Sequence, residues 1–190
     1  MSQQQQPLKT DLSSFENKEF DPGANIIVRA IWYYVNLVIF KTGLFPFYGI
    51  KSFLLRLFGA KVGKGLVIKP FVNIKYPWKL KIGNHVWIGE SVWIDNLEMV
   101  TIGNHVCISQ GALLLCGNHN YKSSSFDLNA KAINIGDGVW ICASAIVCGG
   151  VSCTEHSVLA VNSVATKDLD AYSVYQGNPA HKIKDRIIIS

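Results

Sequence analysis

Residues 82–94 read Ile82-Gly83-Asn84-His85-Val86-Trp87-Ile88-Gly89-Glu90-Ser91-Val92-Trp93-Ile94, and the spacing inside that stretch decides the fold. An isoleucine returns at every sixth position, glycine follows the first two, and valine stands four places after each of those two. The pulse runs outward in both directions, through Val62, Ile68 and Ile74 before the stretch and Ile102, Ile108 and Leu114 after it. After a break it resumes at Ile135, Ile141, Val147, Cys153 and Leu159, and fades at Ala165. Such hexads mark coils that cannot bury their inward face alone and must stack as a parallel β-helix. Three hexads complete one turn, so starts at 62, 82, 102, 135 and 153 predict about five coils. Extra residues between Ile74 and Ile82, and between Ile94 and Ile102, are expected at corners. At ~4.8 Å per coil the prism should stand about 25 Å tall.

The expected class is all-β, with a solenoid over 61–170 that is interrupted by a loop at 116–132 and followed by a tail at 171–190. Before it lie a polar segment, 1–25, and an apolar one, 26–60. The polar segment shows no signal peptide and reads as a loose end. Ile26 to Phe40 is broken by Arg29 and Asn36 and falls short of the ~20 apolar residues that span a bilayer. With Ile50 to Phe58 it is expected to form a helical cap over the open end of the solenoid.

From Pro22 to Gly89 there is no acidic residue but ten basic ones, Arg29, Lys41, Lys51, Arg56, Lys61, Lys64, Lys69, Lys75, Lys79 and Lys81. Basic residues beside apolar aromatic helices suit an anionic membrane surface or a phosphate-bearing lipid. Nucleic acid is disfavoured, because no reading helix or aromatic RNA-binding motif accompanies the charge. Five cysteines, Cys107, Cys116, Cys142, Cys148 and Cys153, are an odd number without paired spacing. They read as small buried thiols of a reducing compartment, so the chain is expected to be cytoplasmic, with peripheral contact at the inner face of the membrane. No metal is expected.

The residue before each inward aliphatic points outward. One outer face then stacks Val67, Trp87, Cys107, Trp140 and Val158, and a second stacks Asn73, Trp93, Leu113, Ile146 and Val164. The third is expected to carry Lys79, Met99, His119, Ser152 and Asp170. Two apolar outer faces, with 49% hydrophobic and only 16% charged residues, imply contact with other chains. The break from Cys116 to Ala132 is the natural place for chemistry, since a rigid scaffold carries its sites on loops. His85, His105 and His156 sit in ordinary repeat slots and His181 in the tail, which leaves His119 at the start of the long loop.

A histidine opening the loop after the third coil, the return at Ile135-Gly-Asp-Gly-Val-Trp140, and the close Thr166-Lys-Asp168 with Gly177-Asn-Pro-Ala180 resemble the hexapeptide-repeat acyltransferases. Trp93-Ile-Asp-Asn-Leu97, Ser109-Gln-Gly-Ala112 and the N-terminal aromatic segment resemble their O-acetyltransferases of exopolysaccharide (colanic-acid type) biosynthesis. The resemblance implies a left-handed winding, a homotrimer, and transfer of acetyl from acetyl-CoA to the hydroxyl of a carbohydrate acceptor, free or lipid-linked. It implies His119 as general base, a role for which imidazole, with an unperturbed pKa near ~6.5, is suited. Asp95 or another acceptor is expected to orient the ring, and Asp95, Asn118 and Tyr121 are the expected acceptor-binding residues. The Ala143 amide is expected to meet the thioester oxygen. Trp140, Val161, Thr166 and Lys167 are expected along the cofactor, and His181 and Lys184 near its phosphates. Two positions depart from the pattern: Lys131-Ala132 replaces a basic residue followed by proline, and His181 stands where Lys or Arg is usual. A γ-class carbonic anhydrase is disfavoured, since Leu114 and Ser124 fill positions where zinc-binding histidines would be needed. A flat threonine ladder of the ice-binding kind is absent, and a non-catalytic trimeric scaffold at the membrane surface is the remaining alternative.

Overall fold

The computed structural model describes residues 8–16 and 20–189. The hexads fold as short strands that stack into three parallel sheets. Sheet A is built from Lys61–Val62, Leu80–Ile82, Val100–Ile102, Ile133–Ile135 and Ser152–Cys153. Sheet B holds Val67–Ile68, Trp87–Ile88, Cys107–Ile108, Trp140–Ile141 and Val158–Leu159. Sheet C holds Asn73–Ile74, Trp93–Asp95, Leu113–Leu115, Ile146–Cys148 and Val164–Ala165. Inward aliphatics pair in register from coil to coil, and Ile68, Ile88, Ile108, Ile141 and Leu159 are all wholly buried. Each such side chain contributes about 1.5–3 kcal/mol over its exposed state, which is why the chain tolerates strands of two or three residues.

Two expectations are corrected by the register. The solenoid has about six turns rather than five. Buried Leu169 bridges Cys153, and Val174 and Tyr175 pair with Val158 and Leu159, so a sixth coil is begun. Leu169 comes only four residues after Ala165, and that slip hides it from a six-residue count. The outward column of sheet A is Lys61, Lys81, Thr101, Asn134 and Ser152. Of the residues expected there only Ser152 stands in it: Lys79 and Met99 fall just before the strands that start at Leu80 and Val100, His119 belongs to the loop, and Asp170 follows the bridge at Leu169.

The second and third hexad slots are explained at one corner. A Cβ on Gly83 would come within 2.6 Å of the Gly103 carbonyl in the coil above, so the stacked backbones leave room for glycine alone. The asparagine that follows serves the neighbouring coil: Lys64 N donates to Asn84 Oδ1 (2.9 Å), Asn84 N to Asn104 Oδ1 (2.9 Å) and Asn104 N to Asp137 Oδ1 (2.7 Å). His85, His105 and His156 then take the left-handed turn, each at φ 55°.

The apolar segment forms α1 (Ile26–Val35), continued by a π-helical turn at Asn36–Phe40, and α2 (Tyr48–Leu57). Asn25 caps α1, its side chain accepting from Val28 N (3.0 Å). Some first-coil amides donate upward to the second, as in Lys69 N to Ile88 O (2.9 Å), while the carbonyls of Val62, Ile68 and Ile74 face the helices below. The helices supply donors to every sheet there. Arg56 reaches Val62 O (3.1 Å) and Gly63 O (2.8 Å), Lys51 reaches Ile68 O (3.3 Å) and Lys69 O (3.2 Å), and Trp32 Nε1 reaches Ile74 O (2.9 Å). Lys51 is wholly buried, and burial pushes its pKa below that of an ordinary lysine. Two of the ten basic residues are therefore spent on the backbone of the first coil. The opposite faces of the helices leave Ile26, Ile27, Ile31, Phe47, Phe53 and Leu57 exposed. Among the described residues no helix is long and apolar enough to cross a membrane.

Candidate active site

The interrupting loop leaves sheet C after Leu115 and rejoins sheet A at Ile133. Its two limbs are tied together: Lys131 N donates to Cys116 O (3.0 Å), Asn129 N to Asn118 O (2.7 Å) and Asn120 N to Asp127 O (2.8 Å). His119 bridges Leu128 in antiparallel fashion. At the tip Ser125 Oγ donates to Asp127 Oδ1 (2.7 Å), and hydrogen bonds from Ser125 and Ser123 hold the Asp127 carboxyl below the usual carboxylate range. The loop is thus a hairpin-like projection rather than a slack connection. Gly117 lets it leave, since a Cβ there would meet Leu97 Cδ1 at 2.8 Å.

This frame sets the imidazole of His119. Its Nδ1 lies 2.8 Å from the carbonyl oxygen of Phe126. A carbonyl can only accept, so Nδ1 carries the proton and Nε2 keeps a lone pair. The Phe126 ring lies flat against the imidazole, with centroids 4.3 Å apart and planes 8° from parallel. Phe126 itself adopts φ 54°, a left-handed conformation uncommon for a bulky residue. The orienting acceptor is therefore the backbone of Phe126. Asp95 is engaged elsewhere: its Oδ1 receives Lys75 Nζ at 2.9 Å.

Asp95 and His119 nevertheless line one open cleft of about 500 Å³, together with Lys75, Tyr76, Phe15 and Phe20. The last two come from the segment whose composition reads as a loose end. Asp11 N donates to Ser124 O (2.8 Å), and the Phe15 ring sits 6.1 Å from that of His119. Phe20 stacks on Tyr76 at 6.4 Å, with Lys79 Nζ 5.0 Å above its ring. Phe15 and Phe20 thus form part of one wall of the cleft.

The remaining expected residues are spread over the chain. Asn118 Oδ1 accepts from the His119 amide (2.8 Å), and Tyr121 is exposed at the tip of the loop. Trp140 stands on the outer face of sheet B, its Nε1 donating to Ser109 Oγ (2.9 Å). Ala143 and Val161 occupy successive turns between sheets B and C, where Asn162 N donates to Ala143 O (2.9 Å). Thr166 and Lys167 follow sheet C in the fifth coil. His181 and Lys184 lie on Ala180–Asp185, which runs antiparallel to Ser173–Gly177 at the edge of sheet B. One chain therefore joins His119 to Asp95 and gathers neither with the residues expected along the cofactor.

Cysteine chemistry is disfavoured by burial, which pushes the thiols of Cys116 and Cys142 up to about 11 and that of Cys153 up to about 12. All five cysteines are unpaired. Among the described residues, no three His, Cys, Asp or Glu side chains gather as a metal site.

No protein-family model matches the chain. Over 177 residues, 93% of this chain and 97% of the relative, it is 40% identical to the "Putative colanic acid biosynthesis acetyltransferase WcaF" of Escherichia coli (strain K12). The chain belongs to the hexapeptide-repeat acetyltransferases. It is also 28% identical over 129 residues to the galactoside O-acetyltransferase of Escherichia coli (strain K12), covering 66% of this chain and 64% of that protein. The solved hexapeptide-repeat acetyltransferase of Vibrio cholerae O1 biovar eltor, complexed with acetyl coenzyme A, shares the fold with a TM-score of 0.78. That match spans 93% of this chain and 97% of the other at 22% identity. In this acetyltransferase the repeat supplies the frame and its one long interruption supplies the candidate base. Reading the sequence alone missed Phe126, Phe15, Phe20 and Lys75. Phe126 acts through its carbonyl, which no side-chain motif can signal, and Phe15 lies in a segment without periodicity.

Proposed function

We propose that the chain transfers the acetyl group of acetyl-CoA to a sugar hydroxyl during exopolysaccharide assembly, with His119 Nε2 as general base. The observation that carries this reading is the 2.8 Å contact between His119 Nδ1 and the Phe126 carbonyl, which leaves Nε2 free to take a proton at the mouth of the cleft. A sugar hydroxyl is a poor nucleophile until a base removes its proton as the new C–O bond forms. Nε2 accepts that proton while the hydroxyl oxygen attacks the acetyl carbonyl; the C–S bond then breaks, and the departing CoA sulfur takes the proton from Nε2. CoA supplies the activated thioester. Exposed Val161, the Ala143 turn and the cations of the last hairpin offer an apolar track ending in positive charge, which fits its pantetheine arm and phosphates. The name of the WcaF relative supports an exopolysaccharide acceptor.

The separation of His119 from the Ala143 and Val161 turns within one chain supports a site completed by a neighbouring copy. Trp87, Trp93 and Trp140 stay 61%, 45% and 44% exposed on the two apolar faces, which supports a homotrimer. The exposed apolar sides of α1 and α2 support peripheral contact with the inner face of the cytoplasmic membrane, and with it a lipid-carried acceptor.

The test is His119→Ala, assayed as thiol release from acetyl-CoA with a panel of sugars. Turnover should fall by about 10²–10⁴-fold, or roughly 3–5 kcal/mol of barrier. Affinity for acetyl-CoA should hold, and His105→Ala, in a repeat corner stacked 5.2 Å from His85, should keep its rate. Full activity in His119→Ala would move the base elsewhere.

A further inference from the structure

A second groove opens beside the His119 cleft, between α1 and the outer face of sheet C. It encloses about 300 Å³ and is lined by Arg29, Lys41, Lys75, Tyr33 and Trp93, among others. Lys75 and Tyr76 line both spaces, so the groove and the cleft are contiguous. No acidic residue lines the groove. Of its three cations Lys75 is paired with Asp95, while Arg29 and Lys41 have no anionic partner among the described residues. The Nε of Arg29 is buried without any hydrogen-bond partner. A buried guanidinium N–H left unpaired is destabilising, and a bound anion would remove that cost.

We propose that this groove binds the phosphate ester of the acceptor, so that the acetylated sugar reaches His119 while still attached to a diphosphate. The proposal rests on His119 as the base and adds what holds the other end of the acceptor. Charge favours this ligand. Two unpartnered cations match a group carrying about two negative charges, whereas a lone sugar carboxylate would neutralise one. Position favours it as well. The groove spans the first and second coils through Asn73 and Trp93, and the base leaves the third coil after Leu115. The expected cofactor residues begin at Trp140 in the fourth coil. Phosphate, base and thioester would then lie in that order along the solenoid, and the two anionic ligands would not compete for the same cations.

The probe is inorganic pyrophosphate, titrated by calorimetry into the full chain saturated with CoA, so that the diphosphate site of CoA is already filled. Wild type should bind one pyrophosphate per chain, less tightly as salt rises. Arg29→Gln/Lys41→Gln should weaken binding by about tenfold or more, the loss expected for charge-assisted hydrogen bonds. Lys61→Gln/Lys64→Gln, two lysines outside the groove, should bind as wild type does. Lys41 is exposed, so Lys41→Gln alone gives a second reading should the double variant fold poorly. His119→Ala should bind pyrophosphate normally, which separates the two readings: loss of the base shows in turnover, and loss of the groove shows in this titration. Displacement by uridine diphosphate or by farnesyl diphosphate in phosphatidylcholine vesicles supports the proposal and tells a nucleotide-linked acceptor from a lipid-linked one. No binding, equal weakening in the Lys61/Lys64 variant, or equal displacement by glucuronate would overturn it.

Discussion

Truncating Phe126 to alanine tests how the proposed base is held without touching that base. Two contacts fix the imidazole of His119: the Nδ1 hydrogen bond to the Phe126 carbonyl at 2.8 Å, and the parallel ring at 4.3 Å. Alanine keeps the carbonyl and removes the ring. An aromatic pair in this geometry is worth ~0.5–1.5 kcal/mol. If that energy serves to hold Nε2 on line, turnover should drop by about two- to twelvefold. That is far less than the loss expected in His119→Ala, because the tautomer is preserved. Phenylalanine at φ 54° also stores backbone strain, of the order of ~1–2 kcal/mol for a left-handed L-residue. Phe126→Gly relieves the strain and removes the ring together, so it should lose at least as much rate as alanine does. The assay is steady-state thiol release at saturating acetyl-CoA, read as kcat and KM separately. The KM for acetyl-CoA should not move in either variant. Wild-type kcat in Phe126→Ala would refute the orienting role of the ring, and a loss as deep as that of His119→Ala would show that the carbonyl contact had collapsed with it.

Trp93→Glu or Leu113→Glu, each placing charge on the apolar column of sheet C, should turn the proposed trimer into monomers or aggregates; sedimentation of wild type as a monomer at micromolar concentration would end that reading. Removing residues 1–16 takes Phe15 from the cleft wall and should raise the KM for whichever sugar supports turnover by about fivefold, or ~1 kcal/mol of lost burial. The KM for acetyl-CoA should stay constant in that variant, and an unchanged acceptor KM would exclude Phe15 from acceptor binding. Asp137 is held below the usual carboxylate range chiefly by the Asn104 amide. Its stabilising contribution is present above ~3.9 and is lost as pH falls through the folded value. Asp137→Asn should therefore lower the melting temperature at pH 7 and converge on wild type in acid; a constant gap would place its effect elsewhere.

The solenoid was legible because each hexad repeats one physical requirement: an inward aliphatic, a glycine where backbones stack, an asparagine whose side chain bonds the adjacent coil. The sixth coil was not, since Leu169 and Tyr175 return after a four-residue slip and the chain then reverses. His119 was legible as the histidine outside the repeat. What orients it was not, because a carbonyl is common to every residue and only the folded loop selects that of Phe126. Lys51 misled the charge reading in the same way: composition counts it with the basic surface, while the fold buries it beneath Ile68.

The donors that α1 and α2 place under the first coil also limit how these molecules can assemble. A solenoid ends in a row of open backbone groups that matches those of any other coil, and chains could stack end to end without limit. Here Arg56, Lys51 and Trp32 occupy that row on all three sheets, and at the far end the antiparallel strand Ala180–Asp185 replaces the parallel partner another chain would need. Axial growth is hindered beneath the first coil and at the far edge of sheet B, which favours side-by-side contact in the proposed trimer. Lateral contact around a shared axis closes on itself after a fixed number of chains, so the proposed trimer would be a ring of defined size rather than a fibre.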